Sequence, residues 1–335
     1  MPRLKQVLLL ILAIAAVPVA ASSAAPVDPA VPFGTTNQNP LAAIYGLPAA
    51  GAAKVLAPGR TAVELRADIP SACSRDDRSE ENVLLDGESY RFTLALQQGL
   101  TERFEVGLEV PYVMHREGFL DSFISDWHDF FHLPQGERDD MPRDRLAYNY
   151  IKDGRTEVAL DDETEGLGDL RLTGAWQVWR REGDDPQALA LRASLKLPTG
   201  DEDRLLGSGS TDLALWLSGS QAFRGGSLGL FGAAGALLMS DGDVLADQQR
   251  HAVAFGTLGG GWRPLPRLAL KAQVDGQTSY YSDSELRELS DSLQLAFGGT
   301  VGLTETLTLD IAIVEDIAVG TAPDIVFHLA LRQTF

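Results

Sequence analysis

The chain has 335 residues, and its formal net charge of −19 excludes a nucleic-acid partner, which would need a basic face. Cys73 is its only cysteine, which excludes an intrachain disulfide and a metal site built from cysteines. After the N-terminus, no stretch approaches the roughly 20 consecutive apolar residues that a membrane helix needs.

The first 24 residues have the layout of a secretory signal peptide. A basic start that ends at Lys5 is followed by an apolar run over 7–21 and then by small residues up to Ala24. An uncleaved anchor helix is the alternative, but the run is short and Pro18 interrupts it. The sequence therefore predicts a signal peptide over 1–24 that is cleaved, and an exported mature chain.

Residues 25–59 form a separate N-terminal segment. The part from Phe33 to Gly59 is polar and rich in turn residues, and it has no periodicity. Two interpretations stay open for it: a periplasmic lead-in to the first strand, or a plug inside a barrel.

From residue 60 to 335 the hydrophobic pattern repeatedly takes a period of two. In the clearest run, Leu189, Leu191 and Leu195 alternate with Arg192 and Lys196. A strand between lipid and a polar lumen must alternate in this way. Eleven other runs share the pattern, which predicts an all-β fold: a closed antiparallel transmembrane β-barrel of about twelve strands.

The connections between these runs alternate in length. Outer-membrane barrels have long loops outside and short turns in the periplasm. The predicted long connections are 69–88, 114–167, 198–210, 239–250, 280–291 and 315–323. The predicted short turns are 99–102, 181–187, 223–227, 263–267 and 302–306. A soluble β-sandwich has no reason to produce this order.

The connection 114–167 contains an amphipathic pattern that predicts a helix of about three to four turns before Pro134. Its apolar face is formed by Phe119, Phe123, Trp127 and Phe131. This helix either caps the loop by packing, or gates the barrel mouth. The acidic run 161–165 fits no defined calcium loop, and solvation is the favoured interpretation.

Charged residues occupy the inward positions of the predicted strands. They either pair across the lumen and close it, or line a hydrated pore that selects a solute, which we favour. The predicted lumen-lining residues are Glu64, Arg66, Arg91, Glu105, Glu109, Asp169, Arg171, Arg192, Lys196, Lys271, Asp275, Asp310 and Arg332.

No motif for chemistry accompanies these patterns. His128 and His132 share a helix face, but the sequence around them is not that of a zinc protease, and no metal site is predicted. No serine nucleophile motif appears either. We predict no enzyme activity, no catalytic residues and no cofactor. Trp176, Trp179, Trp216 and Trp262 have the positions of interfacial belt residues.

Several short motifs carry a resemblance. They are Asn37-Gln38-Asn39-Pro40-Leu41, Tyr45-Gly46-Leu47-Pro48, Gly118-Phe119-Leu120-Asp121-Ser122 with His128 downstream, Gly166-Leu167-Gly168-Asp169-Leu170 and Lys196-Leu197-Pro198-Thr199-Gly200. Together they resemble a Gram-negative family known only as a domain of unknown function. The last two are also similar to motifs of barrels associated with aromatic-degradation (meta-pathway) operons. The resemblance spans nearly the whole mature chain and implies an outer-membrane barrel without implying a substrate.

The C-terminal strand resembles the signal read by the barrel-assembly machinery. Phe335 ends the chain, with Phe327, Leu329 and Leu331 at alternating positions, and Gln333 departs from the usual apolar residue. The expected partners are therefore the assembly machinery, outer-membrane lipid and lipopolysaccharide.

These patterns predict an outer-membrane channel or transporter for a small solute, with hydrophobic and aromatic solutes among the candidates and 114–167 as the gate. The first alternative is a closed structural or surface-binding barrel. The second is an outer-membrane lipid hydrolase.

Overall fold

The computed structural model describes residues 26–122, 124–126, 141–317 and 320–335. The predicted signal peptide lies outside the described residues. So do Phe123, Trp127 and Phe131 of the predicted loop helix, together with His128 and His132. Within the described ranges, no helix is both long and apolar enough to cross a membrane.

Within the residues that the structure describes, fifteen strands form one continuous antiparallel sheet. They are β1 (Thr61–Asp77), β2 (Glu81–Gly99), β3 (Phe104–Arg116), β4 (Ala147–Lys152), β5 (Arg155–Leu160), β6 (Thr164–Leu167), β7 (Arg171–Arg181), β8 (Gln187–Lys196), β9 (Asp212–Phe223), β10 (Leu228–Met239), β11 (Ala252–Leu265), β12 (Leu268–Gln277), β13 (Ser292–Gly302), β14 (Leu307–Asp316) and β15 (Ile325–Thr334). Short 3-10 turns lie at Ala246–Gln248 and Arg287–Leu289, and residues 121–122 and 124–126 are helical.

Twelve of these strands close a ring, so the predicted barrel is confirmed. Strand β1 pairs with β15 from Ala62↔Thr334 to Ser71↔Ile325, and β2 pairs with β3, which pairs with β7. The remaining strands β7 to β15 follow in chain order. Strands β4, β5 and β6 are additions at one end of this ring.

The alternation of side chains agrees with the prediction. On β9, Leu213, Leu215 and Leu217 are exposed on the lipid side, while Ala214 and Trp216 between them are buried. The predicted short turns meet at one end, called here the inner end, and the long connections meet at the other, called the outer end. Because both chain termini of the ring lie at the inner end, the outer end corresponds to the cell exterior in an outer-membrane barrel.

Two predicted connections are corrected. The range 69–88 is mostly strand, because β1 and β2 continue as a hairpin whose turn is only 78–80. The range 114–167 is not simply a loop, since it contains β4, β5 and β6. The hairpin β4–β5 extends the sheet from the outer part of β2, where Glu81↔Lys152 to Asp86↔Ala147 pair. Both faces of the outer part of β1 and β2 are largely covered, so the one-sided alternation that marks a strand is lost there.

Strands β13 and β14 approach each other so closely at Gly298 that only glycine fits. A Cβ at Gly298 would lie 2.0 Å from the carbonyl oxygen of Ile311, which is backbone and cannot move aside alone. At Gly174 on β7, the nearest atom to such a Cβ is the Glu105 carbonyl oxygen at 3.8 Å.

We therefore expect Gly298→Ala to lower the free energy of unfolding by about 1–3 kcal/mol, the usual cost of overpacking. Unfolding of the refolded barrel in guanidinium chloride measures this change. Gly174→Ala is the matched control and is expected to unfold as the wild type does. Equal stability of the two variants would contradict the close approach.

Candidate functional site

Residues 26–59, called here the lumen segment, contact strands on all sides of the ring. They form no strand, yet Phe33, Leu41 and Ile44 are buried. Their hydrogen bonds reach inward-facing side chains: Phe33 N–H to Gln273 (2.8 Å), Gly46 N–H to Asp212 (2.7 Å), Val55 N–H to Gln177 (3.0 Å) and Leu56 N–H to Glu105 (2.7 Å). Because these partners come from β12, β9, β7 and β3, the segment runs through the interior of the ring.

Donors on the wall also reach the carbonyl oxygens of the lumen segment. A chain without regular structure exposes carbonyls that need donors when buried. The wall provides them as Arg91 to Ala43 (2.9 Å), Trp216 Nε1 to Ala50 (2.8 Å), Arg192 Nε to Ala52 (2.9 Å) and Lys271 to Val31 (3.1 Å). The Lys271 ammonium also lies 4.0 Å from the centre of the Phe33 ring, a cation–π contact.

The motif Asn37–Leu41 ties the lumen segment to two outer connections. The Asn37 side chain accepts from the N–H of Asn39, and the Asn39 side chain accepts from the N–H of Leu41 (2.8 and 2.9 Å), which fixes two successive Asx turns. The two amide groups then donate to Thr321 O (3.2 Å from Asn37) and to Glu288 O (3.3 Å from Asn39). The motif therefore anchors the lumen segment to the outer end of the barrel.

An apolar core fills the outer end of the lumen. Tyr45 of the lumen segment stacks on Tyr280, with ring centres 4.8 Å apart, and Tyr281 O–H donates to Leu41 O (2.6 Å). Burial raises the pKa of Tyr281, so that hydroxyl stays protonated and able to donate. Leu237 of β10 and buried residues of the outer connections complete the core, among the latter Tyr148, Tyr150, Leu205, Leu245, Leu286 and Leu289.

Most of the predicted lumen-lining residues meet in ion pairs within the lumen. The pairs are Arg66–Glu64 (3.0 Å), Arg66–Glu109 (2.5 Å), Arg171–Glu109 (3.3 Å), Arg192–Glu105 (3.0 Å), Lys196–Asp169 (2.5 Å), Lys271–Asp310 (3.3 Å) and Arg332–Glu64 (3.1 Å). Asp275 accepts instead from Thr257 (2.6 Å) and Gln273 (2.8 Å). Within the described ranges, Arg91 has no carboxylate partner.

Two of the sequence motifs meet at Asp169. This carboxylate accepts from the N–H groups of Thr199 and Gly200 (2.9 and 2.8 Å), both in the Lys196–Gly200 motif, and from Lys196 itself. Gly207 packs directly against it, since a Cβ there would lie 2.5 Å from Asp169 Oδ1. Asp169 therefore fixes the connection 197–211 over the β6–β7 junction.

A cavity of about 540 Å³ remains at the inner end. It is bounded by Glu305 and Thr306 of an inner turn, by Trp216, and by the lumen segment around Ala52. Deeper in the lumen lies a recess of about 50 Å³. The recess and the cavity share Arg66, Glu109 and Arg171 in their linings, so they adjoin.

Residues that sequence reasoning missed do much of the binding of the lumen segment. Trp216 was predicted as a belt residue, but it points inward and is buried, whereas Trp176, Trp179 and Trp262 are exposed on the outside. Gln273 and Asp212 are inward residues that hold Phe33 and Gly46. Their inward orientation could have been predicted from the alternation, since Gln273 is in phase with Lys271 and Asp275 on β12 and Trp216 is in phase with Asp212 on β9.

The acidic run 161–165 is engaged by protein partners. Glu163 and Glu165 both contact Arg116, and Asp161 accepts from Asn149 (2.8 Å). In the described part of the chain, no group of three metal-ligating side chains comes together.

Comparison with known proteins places this barrel in a family. A family model described as "Protein of unknown function (DUF3187)" matches residues 7–335. The chain belongs to this family. The match confirms the resemblance carried by the short motifs, and no curated protein matches the chain.

Solved structures share the architecture at low identity. The COG4313 outer membrane channel from Pseudomonas putida F1 is 15% identical, with a TM-score of 0.55 over 84% of this chain and 97% of that one. The NanC porin (9%, TM-score 0.45, 82% and 98%) and the Ralstonia pickettii toluene transporter TbuX (11%, TM-score 0.38, 84% and 90%) superpose less well. At this identity the first likeness extends to the barrel fold alone.

The start of the connection 114–167 is anchored to the wall by one carboxylate. Glu88 on β2 is buried and accepts from the N–H groups of Phe119 (2.8 Å) and Leu120 (2.6 Å), and also from the Tyr90 hydroxyl. These N–H groups precede the helical residues 121–122, where a negative charge also favours the helix.

We expect Glu88→Ala to release this connection, because the N–H groups of Phe119 and Leu120 and the Tyr90 hydroxyl then lose their acceptor, at up to about 1–3 kcal/mol each. Limited proteolysis of the folded barrel between residues 117 and 146 should become roughly tenfold faster or more, as the locally open form becomes more populated. Glu117→Ala, at an exposed neighbouring position, is the control. Unchanged cleavage in the Glu88 variant would show that the anchor lies elsewhere.

Proposed function

We propose that the protein is an outer-membrane channel for small solutes, and that the state described here is its closed state. The observation that carries the proposal is the division of the lumen. Among the described residues, the lumen segment and the apolar core built on it separate a cavity of about 540 Å³ at the inner end from the outer end.

The size of the ring supports a pathway. Barrels of about eight strands are filled by their own side chains, whereas barrels of about 16 strands leave a channel. This ring of twelve strands lies between them and holds a separate stretch of chain. Contacts of that stretch with the wall are hydrogen bonds and packing, so its displacement leaves the barrel closed by its own strand pairs.

The proposed gate is a composite of two parts of the chain. The predicted gate, 114–167, contributes Tyr148 and Tyr150 of β4 to the outer core. The lumen segment contributes Leu41, Ile44 and Tyr45 to the same core. Opening in this proposal separates these two surfaces, and the anchors of Asn37 and Asn39 set how readily that happens.

An enzymatic function has less support from the geometry than a channel has. Ser89 Oγ lies 2.7 Å from His115 Nδ1, the arrangement of a nucleophile and its base. Both residues are buried, however, and the adjoining cavity measures only about 10 Å³. A substrate cannot reach this pair without a large rearrangement.

Single-channel recording in a planar bilayer tests the proposal with three proteins: the mature wild type, the double variant Asn37→Ala/Asn39→Ala, and a mature chain shortened to begin at residue 58. We expect brief openings in the wild type, more frequent openings in the double variant and steady conductance in the shortened chain. Heat-shifted gel mobility shows in each case that the barrel is folded.

The runner-up, a closed structural barrel, gives a different result. Silence in both the wild type and the double variant, together with conductance in the shortened chain alone, would mean that the lumen segment is a permanent filling. Silence in all three folded proteins would remove the pathway altogether.

A further inference from the structure

The recess of about 50 Å³ gathers guanidinium groups whose donors are not all satisfied. Arg66, Arg91 and Arg171 line it together. The Nε of Arg171 is a buried donor without a hydrogen-bond partner, whereas the Nε of Arg66 is ion-paired with Glu64 Oε1 at 3.0 Å. For Arg91, the structure gives one hydrogen bond, to Ala43 O, and no ion pair in the described part of the chain.

Each carboxylate that lines the recess already has partners within the protein. Glu109 is shared by Arg66 and Arg171, and Asp169 holds Lys196 and the backbone of 199–200. Asp68 accepts from Thr35 (3.0 Å) and from His328 (2.7 Å). The recess therefore offers more donors than the protein supplies acceptors for, although opposite charges lie near it.

From this arrangement we propose that the recess is a binding site for the carboxylate group of a small organic acid, held by Arg91 and Arg171. A guanidinium fork matches a carboxylate in shape and charge, and such charge-assisted bonds are the strong ones. The remaining lining is apolar at Ile44, Leu47 and Leu206, which accommodates the carbon atoms next to the acid group.

The adjoining inner cavity gives the rest of such a ligand room. It continues from the recess past Arg171 and Arg66, and its lining includes Trp216 and Ala95. The site is thus reached from the inner end while the outer core stays closed. That organic acids are the transported solutes rests on the proposed function, whereas the binding itself does not.

The test is equilibrium binding to the refolded, full mature barrel. Saturation-transfer NMR at constant ionic strength compares acetate with acetamide, its neutral counterpart of nearly the same shape, and then with benzoate. We expect saturable binding of acetate, at least tenfold weaker binding of acetamide, and benzoate binding tighter than acetate.

Variants locate the site. Arg91→Gln and Arg171→Gln should each raise the dissociation constant for acetate at least tenfold, while Arg103→Gln, exposed on an inner turn, should leave it unchanged. If either glutamine variant fails to fold, Arg91→Lys keeps the charge without the fork and should raise the constant severalfold. Equal binding of acetate and acetamide, or unchanged binding in the Arg91 and Arg171 variants, would overturn the proposal.

The two proposals fail separately. A barrel that binds acetate as expected but never conducts would support the carboxylate site and contradict the proposed channel. A barrel that conducts but does not prefer acetate to acetamide would support the channel and contradict the proposed carboxylate site.

Discussion

Barrel closure at twelve strands is the constraint on which the rest of this structure depends. Pairing of β1 with β15 completes the ring, so that every wall strand has a neighbour on both sides and no edge is open in the membrane. It also fixes an interior that is too wide for wall side chains alone to fill. The lumen segment supplies the missing volume, and the charged and amide side chains of the wall supply the partners that its backbone requires.

This constraint explains why the inward residues are charged and yet mostly paired. A buried charge without a partner costs several kcal/mol, roughly, so each cation in a narrow lumen needs an acceptor nearby. Arg192 shows both solutions at once, because it contacts the carboxylate of Glu105 and the carbonyl oxygen of Ala52. Sequence reasoning treated these charges as a choice between closing the lumen and lining a pore. In the structure most of them pair with one another, and some, among them Arg91, Arg192 and Lys271, also bind a third component, the lumen segment.

How much of the fold the sequence predicts depends on whether each interaction is local or joins residues distant in sequence. The alternation on β8 or β9 is local, because each residue meets lipid or lumen according to its own position, and it predicted the strands well. The outer part of β1 and β2 was missed, since both of its faces are largely covered and carry no one-sided pattern. The hairpin β4–β5 was missed because each of its strands is only six residues long. Trp216 shows the same limit. Its inward orientation follows from strand phase, but its role depends on Ala50, 166 residues away in sequence.

The lumen segment joins two kinds of contact that respond differently to water. Around Ala52 its partner is the Arg192 guanidinium, which adjoins the inner cavity, where water can replace a lost hydrogen bond at little net cost. Around Leu41 and Tyr45 its partners are apolar and enclosed, so separation there exposes hydrophobic area at about 25 cal/mol per Å². Movement of the segment is therefore opposed mainly at the outer end. The inner part loosens at lower cost, whereas the Asn37–Leu41 motif holds the outer part, whose displacement costs more.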